Sequence, residues 1–231
     1  MSKYIIVKVI VEGQTEQKFI SEVLAPYLVD KGIFITPIVA SKKGQKGGDI
    51  KFQRVKKDIG NYLAQSNVNI VSTFVDYYGV KEWPGQNDIL TNSTPEQMAE
   101  IMNTAAKSEI CREYDHFNPT QRFIPFIAVH EFETLLFSDT NALAEGLGIS
   151  QETIEATVNE FPSLEHINNS RETAPSKRLT AWYSQYGKTT TGIAIAKKIP
   201  IDTMRAKCPL FNQWLTKLES FVEDKNKRFI K

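Results

Sequence analysis

The sequence has few cysteines and no long apolar run, and these absences exclude several classes of protein. Its 231 residues include only two cysteines, Cys111 and Cys208, which lie far apart. We therefore expect neither a thiolate zinc site nor a disulfide scaffold, but reduced thiols in a cytoplasmic protein. No apolar run approaches the roughly 18 residues of a membrane span, and the N-terminus lacks the pattern of a signal peptide. We expect a soluble protein that does not enter a membrane.

Repeats, low-complexity tracts and two common catalytic motifs are also missing. The lysine-rich loop is not a GxxxxGK[ST] sequence, and His130-Glu131 is not followed by the second histidine of an HExxH zinc site. The formal net charge of +1 says little about partners, because acids and lysines are unevenly distributed. The length allows one large domain, or a core domain with a helical extension.

Apolar runs and amphipathic segments alternate in the first part of the chain. The runs that predict strands are Tyr4 to Val11, Ile33 to Val39, Asn69 to Val75 and Phe123 to Val129. This rhythm predicts an α/β fold of about four mostly parallel strands flanked by helices. We place the core at 1–139, with an insertion at about 80–113, and a helical extension packed on it at 140–231. The extension is either a separate unit or a lid over the sheet edge.

Three of these strands end in acidic residues. Glu12 follows the first strand, Asp76 follows the third, and Glu131 follows the fourth after His130. Ligands of open α/β sheets bind at the carboxyl ends of the strands, so we expect these side chains to converge. Carboxylates in one place repel one another unless a cation neutralises them. Oxygen ligands alone favour Mg²⁺ or Mn²⁺ over zinc.

Each candidate also has a purely structural interpretation. Glu16 points back to the same edge, or it serves as a capping residue in the first helical turn. Asp76 is a ligand, or an ordinary turn residue. His130 and Glu131 belong to the site together with Glu133, or they cap a helix that carries Phe132 into the core. The three strand-end positions taken together favour function.

Basic residues are expected where phosphate would lie. Lysines crowd a glycine-containing loop after the second strand, although a lysine-rich stretch is also typical of a solvated helix face. Lysine near a metal site stabilises the charge that develops in phosphoryl transfer. The residues that we assign to catalysis are Glu12, Asp76, His130, Glu131 and Lys177. Those assigned to metal binding are Glu12, Glu16, Asp76, Glu131 and Glu133. Those assigned to nucleic-acid binding are Lys42, Lys43, Lys46, Arg178 and Lys188.

Two short motifs carry a resemblance to known proteins. Val11-Glu-Gly-Gln-Thr-Glu16 together with Phe74-Val-Asp-Tyr-Tyr-Gly79 resembles the TOPRIM fold of topoisomerases, primases, recombination-mediator proteins and OLD-type nucleases. With WPG, HEFETLLFSD, APSKR and YGK in that order, nearly the whole chain resembles the bacterial family catalogued as domain of unknown function 4276. The resemblance implies a TOPRIM/Rossmann-like sheet.

The resemblance also implies roles for individual residues. Glu12 matches the general acid/base or metal ligand, and Asp76 matches the first acid of the DxD pair. Tyr78 occupies the position of the second acid, so the sequence departs from the TOPRIM pattern there. Either Glu131, Glu133 or Asp139 replaces that acid, or the fold has kept its shape and lost its catalysis.

Two functions follow as hypotheses. The first is a Mg²⁺- or Mn²⁺-dependent nuclease acting on DNA or RNA, for which the resemblance implies an ATPase partner in bacterial defence or DNA repair. The second is a non-catalytic module that binds nucleic acid or a protein partner. Metal dependence of cleavage distinguishes them.

Overall fold

A computed structural model describes residues 4–40, 50–129, 131–167 and 171–229. The strands are β1 Ile5–Val11, β2 Ile33–Val39, β3 Ile50–Lys51, β4 Ile70–Asp76, β5 Val80–Lys81, β6 Phe123–Ile124 and β7 Ile127–Ala128. The helices of the first half are α1 Gln14–Phe19, α2 Ala25–Val29, α3 Phe52–Leu63, α4 Pro95–Glu113 and α5 Pro119–Arg122. Those of the second half are α6 Thr140–Leu147, α7 Gln151–Val158, α8 Pro175–Trp182, α9 Ile193–Ala196, α10 Ile201–Lys207 and α11 Pro209–Phe229.

The main sheet has the order β2-β1-β4-β6, and all of its pairings are parallel. The short strand β7 continues the edge by pairing with the end of β4, also in parallel. All seven residues of β4 are buried, as expected for a central strand covered on both faces. The predicted α/β fold with a mostly parallel sheet is therefore confirmed.

The fourth strand differs from the prediction because it is interrupted. We expected one run from Phe123 to Val129, but β6 and β7 are separated by Pro125 and Phe126. Proline has no N–H to donate to the neighbouring strand. The side chain of Thr73 replaces the missing ladder by accepting from the Phe126 N–H at 2.9 Å and donating to the Phe126 carbonyl at 3.0 Å.

The apolar spacing from Glu16 to Asp30 predicts a helix, and the first helical segment begins directly after β1. It contains a π-helical segment, Ile20–Leu24, between α1 and α2. Pro26 follows that segment and lies near the start of α2, where its missing N–H interrupts the regular hydrogen-bond ladder. This interruption explains why the helix is not regular over its whole length.

Within the insertion, Ser93-Thr94-Pro95-Glu96 is typical of a helix start, and that helix is present as α4. The side chain of Thr94 accepts from the Gln97 N–H at 3.3 Å, and the side chain of Gln97 accepts from the Thr94 N–H at 2.9 Å. Pro95 occupies the first turn, where no N–H is required. The insertion also contains β5, which pairs with β3 in a small parallel sheet that the sequence did not predict.

The part of the chain after 140 that the structure describes contains helices and loops but no strand. Its last helix, α11, packs against the sheet through Trp214, which is 2% exposed. The Trp214 indole donates to Ser72 Oγ at 2.9 Å and stacks on Phe126 with 4.9 Å between ring centroids. Residues of both predicted segments thus share one hydrophobic core. The boundary at 139 stays a prediction.

None of the helices in the described ranges combines the length and apolar character needed to cross a bilayer.

Candidate active site at the carboxyl edge of the sheet

Glu12 and Asp76 lie at the ends of two neighbouring strands. Strands β1 and β4 are paired with Val11 opposite Phe74, so Glu12 follows β1 just beside the residues that end β4. Glu131 follows shortly after β7, which pairs with the last residues of β4. The three strand ends predicted from the sequence therefore meet at one edge.

Asp76 is a buried carboxylate held in a fixed orientation. Its side chain is mostly removed from solvent, and its Oδ1 atom accepts from the Phe132 N–H at 3.0 Å. Burial raises the pKa of Asp76 well above its ordinary value, and the negative charges of Glu16, Glu12 and Glu133 act in the same direction. Lys188 opposes this effect. A cation bound here would relieve the cost of ionising Asp76.

Glu12 packs against a glycine of the turn that follows β4. A Cβ atom placed on Gly79 would lie 1.7 Å from Glu12 Oε2 and 2.4 Å from its Cδ atom. The turn Tyr77–Gly79 therefore leaves space for the Glu12 carboxylate only because residue 79 has no side chain. This contact links the two motifs on which the TOPRIM resemblance is based.

Glu16 combines the two interpretations that its sequence position allows. Its Oε2 atom accepts from the Gly13 N–H at 2.9 Å, which caps the start of α1. The side chain is buried at the same edge, and burial raises the pKa of Glu16 above its ordinary value. Lys188 lowers this pKa and Glu131 raises it, so Glu16 is electrostatically part of the cluster.

Glu133 and Lys188 form an ion pair within the cluster. Glu133 is fully buried, and Lys188 Nζ lies 3.0 Å from its Oε2 atom. Burial raises the pKa of Glu133 to about 7, although Lys188 lowers it. Burial lowers the pKa of Lys188, but Glu133, Asp76 and Glu131 together raise it above its ordinary value. Lys188 is therefore a charged lysine that faces carboxylates.

Glu131 connects the sheet edge to a helix from the second half of the chain. Its Oε2 atom accepts from the Ser176 N–H at 3.0 Å, and its Oε1 atom accepts from Ser176 Oγ at 3.0 Å. Lys188 Nζ lies 3.5 Å from the same Oε1 atom. Glu131 precedes the 3₁₀ helix Phe132–Ser138 but makes no side-chain cap there. Its carboxylate satisfies the start of α8 instead.

The remaining assigned residues have other surroundings or lie outside the described part of the chain. Lys177 is exposed on α8. Arg178 donates to the Thr173 carbonyl at 3.0 Å and lies 5.3 Å from the Phe161 ring centroid. Asp139 accepts from the Ala142 N–H at 2.9 Å and so caps α6. Lys42, Lys43, Lys46 and His130 lie outside the described residues.

The family's sequence profile matches residues 11–219, which is most of the chain. The chain belongs to the family called Domain of unknown function (DUF4276). No curated protein sequence matches it.

Similar solved structures include the C-terminal region of the OLD protein of Xanthomonas campestris pv. campestris. The structure phased with platinum is 15% identical to this protein, covers 96% of each chain and has a TM-score of 0.42. The structure phased with iodine is 14% identical to this protein, and the match covers 96% of this chain and 97% of the OLD chain, with a TM-score of 0.39.

Three further residues of the candidate active site were not identified from the sequence of this DUF4276 protein. Tyr186 lies within hydrogen-bonding range of Glu133, with 3.5 Å between its hydroxyl and Glu133 Oε1. Burial raises the pKa of Tyr186, and Glu133 and Glu131 raise it further, so the phenol stays neutral. Ser176 and Gly79 act through the contacts described above. All three lie within motifs that carry the family resemblance: Gly79 in Phe74 to Gly79, Ser176 in APSKR and Tyr186 in YGK.

The donors suit a hard divalent cation in their chemistry. The cluster contributes carboxylate oxygens, and its buried members carry raised pKa values from burial and mutual repulsion. Among the described residues, no group of three or more Asp, Glu, His or Cys side chains is arranged to hold a metal ion. Mg²⁺ commonly keeps several waters and uses one or two carboxylates. Glu12 and Asp76 supply two carboxylates at neighbouring strand ends.

Proposed function

We propose that this protein is a divalent-metal-dependent nuclease that hydrolyses phosphodiester bonds of DNA or RNA. The observation that supports this proposal is the convergence of Glu12 and Asp76 at the ends of paired strands, with buried Glu16 beside them. Buried like charges are costly unless a cation is present. A two-carboxylate site with a nearby lysine suits phosphoryl transfer.

In this proposal the carboxylates divide into two sets. Glu12 and Asp76 would hold Mg²⁺ or Mn²⁺. Among the neighbouring charges, Glu16 raises the pKa of Asp76 most. The ion, when bound, would polarise the phosphate and favour deprotonation of the attacking water. We assign Glu131 and Glu133 to holding Lys188, because both carboxylates contact its Nζ atom.

Lys188 would stabilise the negative charge that develops on the phosphate. Its side chain is 40% exposed although its ammonium contacts buried Glu133, so it can reach both the cluster and a ligand in solution. Tyr186 and Glu133 would orient this ammonium. Roles for Lys177, Arg178 and His130, and for the loop lysines Lys42, Lys43 and Lys46, stay predictions.

The first prediction concerns cleavage by the purified protein. Labelled single- and double-stranded DNA and RNA should be cut with Mg²⁺ or Mn²⁺ but not with EDTA. Glu12→Gln and Asp76→Asn should each reduce the rate at least about 100-fold, because each removes an anionic oxygen ligand. The Asn side chain can still accept from the Phe132 N–H, so the fold should persist.

Matched controls test whether the loss belongs to this site. Glu100→Gln and Asp30→Asn remove carboxylates from exposed positions and should leave the cleavage rate unchanged. Cutting that survives both site variants, or that continues in EDTA, would contradict the proposal.

A non-catalytic binding module is the second candidate. Tyr78 stands at the position of the second DxD acid, and Lys188 already neutralises part of the cluster. The module would bind nucleic acid or an ATPase partner, the setting that the TOPRIM resemblance implies in bacterial defence or DNA repair. It predicts that nucleic-acid binding persists in Glu12→Gln and Asp76→Asn and that no substrate is cut with any metal.

A further inference from the structure

A second cleft lies at the opposite edge of the sheet from the carboxylates. Its volume is about 700 Å³, and Ile5 and Asn69 line it at the starts of β1 and β4. Strand β4 is seven residues long, so about 20 Å of sheet separate this cleft from Asp76. Pockets of roughly 300–1,000 Å³ commonly bind small molecules. We call this site the amino-edge cleft.

Three cationic side chains line the amino-edge cleft: Lys107, Arg122 and Lys217. Within the described ranges, no Asp or Glu lines the cleft, and none forms an ion pair with these three residues. This is the reverse of the charge pattern at the carboxyl edge. A concentration of one sign of charge in a concave site attracts ions of the other sign.

Arg122 is held by neutral groups only. Its guanidinium donates to the carbonyls of Leu63 at 2.7 Å, Val68 at 2.8 Å, Phe117 at 3.0 Å and Gln65 at 3.2 Å. These bonds fix its position without cancelling its charge. Arg122 therefore contributes a permanent positive field to the wall of the cleft.

Lys107 is partly buried beside the exposed Lys217. Its ammonium donates to the Phe123 carbonyl and lies 5.9 Å from the centroid of the Phe123 ring. Burial lowers the pKa of Lys107, Cys111 opposes this effect, and Lys217 lowers the pKa further. The two ammonium groups therefore repel each other, and an anion between them would remove this repulsion.

We propose that the amino-edge cleft binds the phosphate groups of a small phosphorylated molecule. Lys107 and Lys217 would contact the phosphates, and Arg122 would add to the attraction from a fixed position. The amides of Asn118 and Gln121 line the same cleft and supply hydrogen-bonding groups. This site is separate from the carboxylate cluster and does not depend on the nuclease proposal.

The half-buried ring of Phe221 lines the cleft and provides an apolar surface for the organic part of the ligand. Ile5 and Val68 are almost fully buried behind the wall and support it from the core. A nucleotide combines a planar base with phosphates and so matches both the apolar and the cationic parts of the cleft. A polyphosphate would use the cationic part alone.

Isothermal titration calorimetry of the full chain in EDTA tests the proposal. The probes are ATP, sodium tripolyphosphate and adenosine. ATP or tripolyphosphate should bind, adenosine alone should bind more weakly than ATP, and affinity should fall as NaCl is raised. Tighter binding of ATP than of tripolyphosphate would identify a nucleotide, and equal binding would identify the phosphate chain; both results support a phosphate site.

Charge-removing variants locate the binding. Lys107→Gln and Lys217→Gln should each weaken binding at least about 10-fold, whereas Lys217→Arg should retain it. Lys207→Gln, at an exposed lysine of α10, is the control and should change nothing. Because Lys217 is exposed, its variants should fold even if Lys107→Gln does not. Glu12→Gln should bind as tightly as wild type, which separates this site from the nuclease proposal.

Three results would overturn the inference. The first is no measurable binding of ATP or tripolyphosphate, and the second is binding that Lys217→Gln leaves intact. The third is binding of a single-stranded oligonucleotide that Lys217→Gln weakens while ATP does not bind at all, since that would indicate a macromolecular ligand.

Discussion

Two glycines show how single residues shape the candidate active site. Gly79 leaves room for the Glu12 carboxylate, and Gly192 leaves room for Tyr186, whose hydroxyl would lie 2.6 Å from an added Cβ atom. Neither glycine has the positive φ that only glycine adopts easily, so their importance lies in close approach and not in backbone strain. Both neighbours, Glu12 and Tyr186, belong to the candidate active site.

Gly79→Ala should therefore impair the site more than the fold. The added methyl group would displace the Glu12 carboxylate, so we expect metal-dependent cleavage to fall at least about 10-fold. Gly148→Ala is the control, because φ at Gly148 is 68° and nothing lies within 4 Å of an added Cβ.

Gly148→Ala should impair the fold and not the site. Its free energy of unfolding should be lower by about 1 kcal/mol, and its cleavage rate should be unchanged. Urea unfolding and cleavage rates measured on both variants check this. Equal activity of Gly79→Ala and wild type would show that the position of Glu12 does not matter.

At the scale of elements, a buried carboxylate anchors the start of α11. Glu165 is 4% exposed and accepts from the Leu210 N–H, with 2.9 and 3.1 Å to its two oxygens, and from the Phe211 N–H at 3.3 Å. These bonds satisfy donors that the first turn of a helix leaves unpaired. Burial nevertheless raises the pKa of Glu165 to about 7.

This raised pKa predicts a pH-dependent stability. A carboxyl group whose pKa is higher in the folded than in the unfolded state favours folding most below its unfolded pKa of about 4.5. That contribution, on the order of 3 kcal/mol, is lost as pH rises from about 4.5 through about 7. Wild type should therefore lose stability over this window.

Glu165→Gln tests the origin of the loss. The amide oxygen still accepts from the helix N–H groups but does not ionise, so the decrease in unfolding free energy between pH 4.5 and 7 should be smaller. Urea unfolding at several pH values measures it, with Glu100→Gln as the exposed control. If the unfolding free energy of Glu165→Gln decreased with pH as steeply as that of wild type, Glu165 would not be responsible for the loss.

At the scale of the whole molecule, the two edges of the sheet carry opposite charge. Carboxylates gather at the carboxyl edge, and three cationic side chains line the amino-edge cleft. The net charge of +1 conceals this separation. Each edge concentrates like charges that oppose folding, so a bound counter-ion at either edge should stabilise the protein.

Thermal unfolding with Mn²⁺ tests this at the carboxyl edge. A ligand at about 100 times its Kd stabilises by about 2.7 kcal/mol, and a chain of this size gains roughly 2–4 °C per kcal/mol. We expect a rise in Tm of several degrees for wild type and almost none for Asp76→Asn. In EDTA at pH 8, Asp76→Asn should be at least as stable as wild type, because it removes a buried charge with like-charged neighbours.

Glu100→Gln again serves as the control and should respond to Mn²⁺ as wild type does. An equal rise in Tm for wild type and Asp76→Asn would place the ion elsewhere.

Local patterns identified much of the fold. The apolar runs of β1, β2 and β4 lie close to their predicted bounds, and Thr94-Pro95 marks the start of α4. Such signals are local because strand and helix periodicity and capping act within a few residues. The break between β6 and β7 was missed although Pro125 signalled it, because an apolar run outweighed one proline.

The sequence by itself determined which carboxylates stand at strand ends, because in parallel strands the chain direction places those ends together. Only the tertiary structure decided what they contact. Glu131 meets Ser176 and Glu133 meets Lys188 across more than forty positions of the chain, and Arg122 is held by carbonyls of an earlier segment. Pairings of this kind depend on how helices pack on the sheet, which no local pattern encodes.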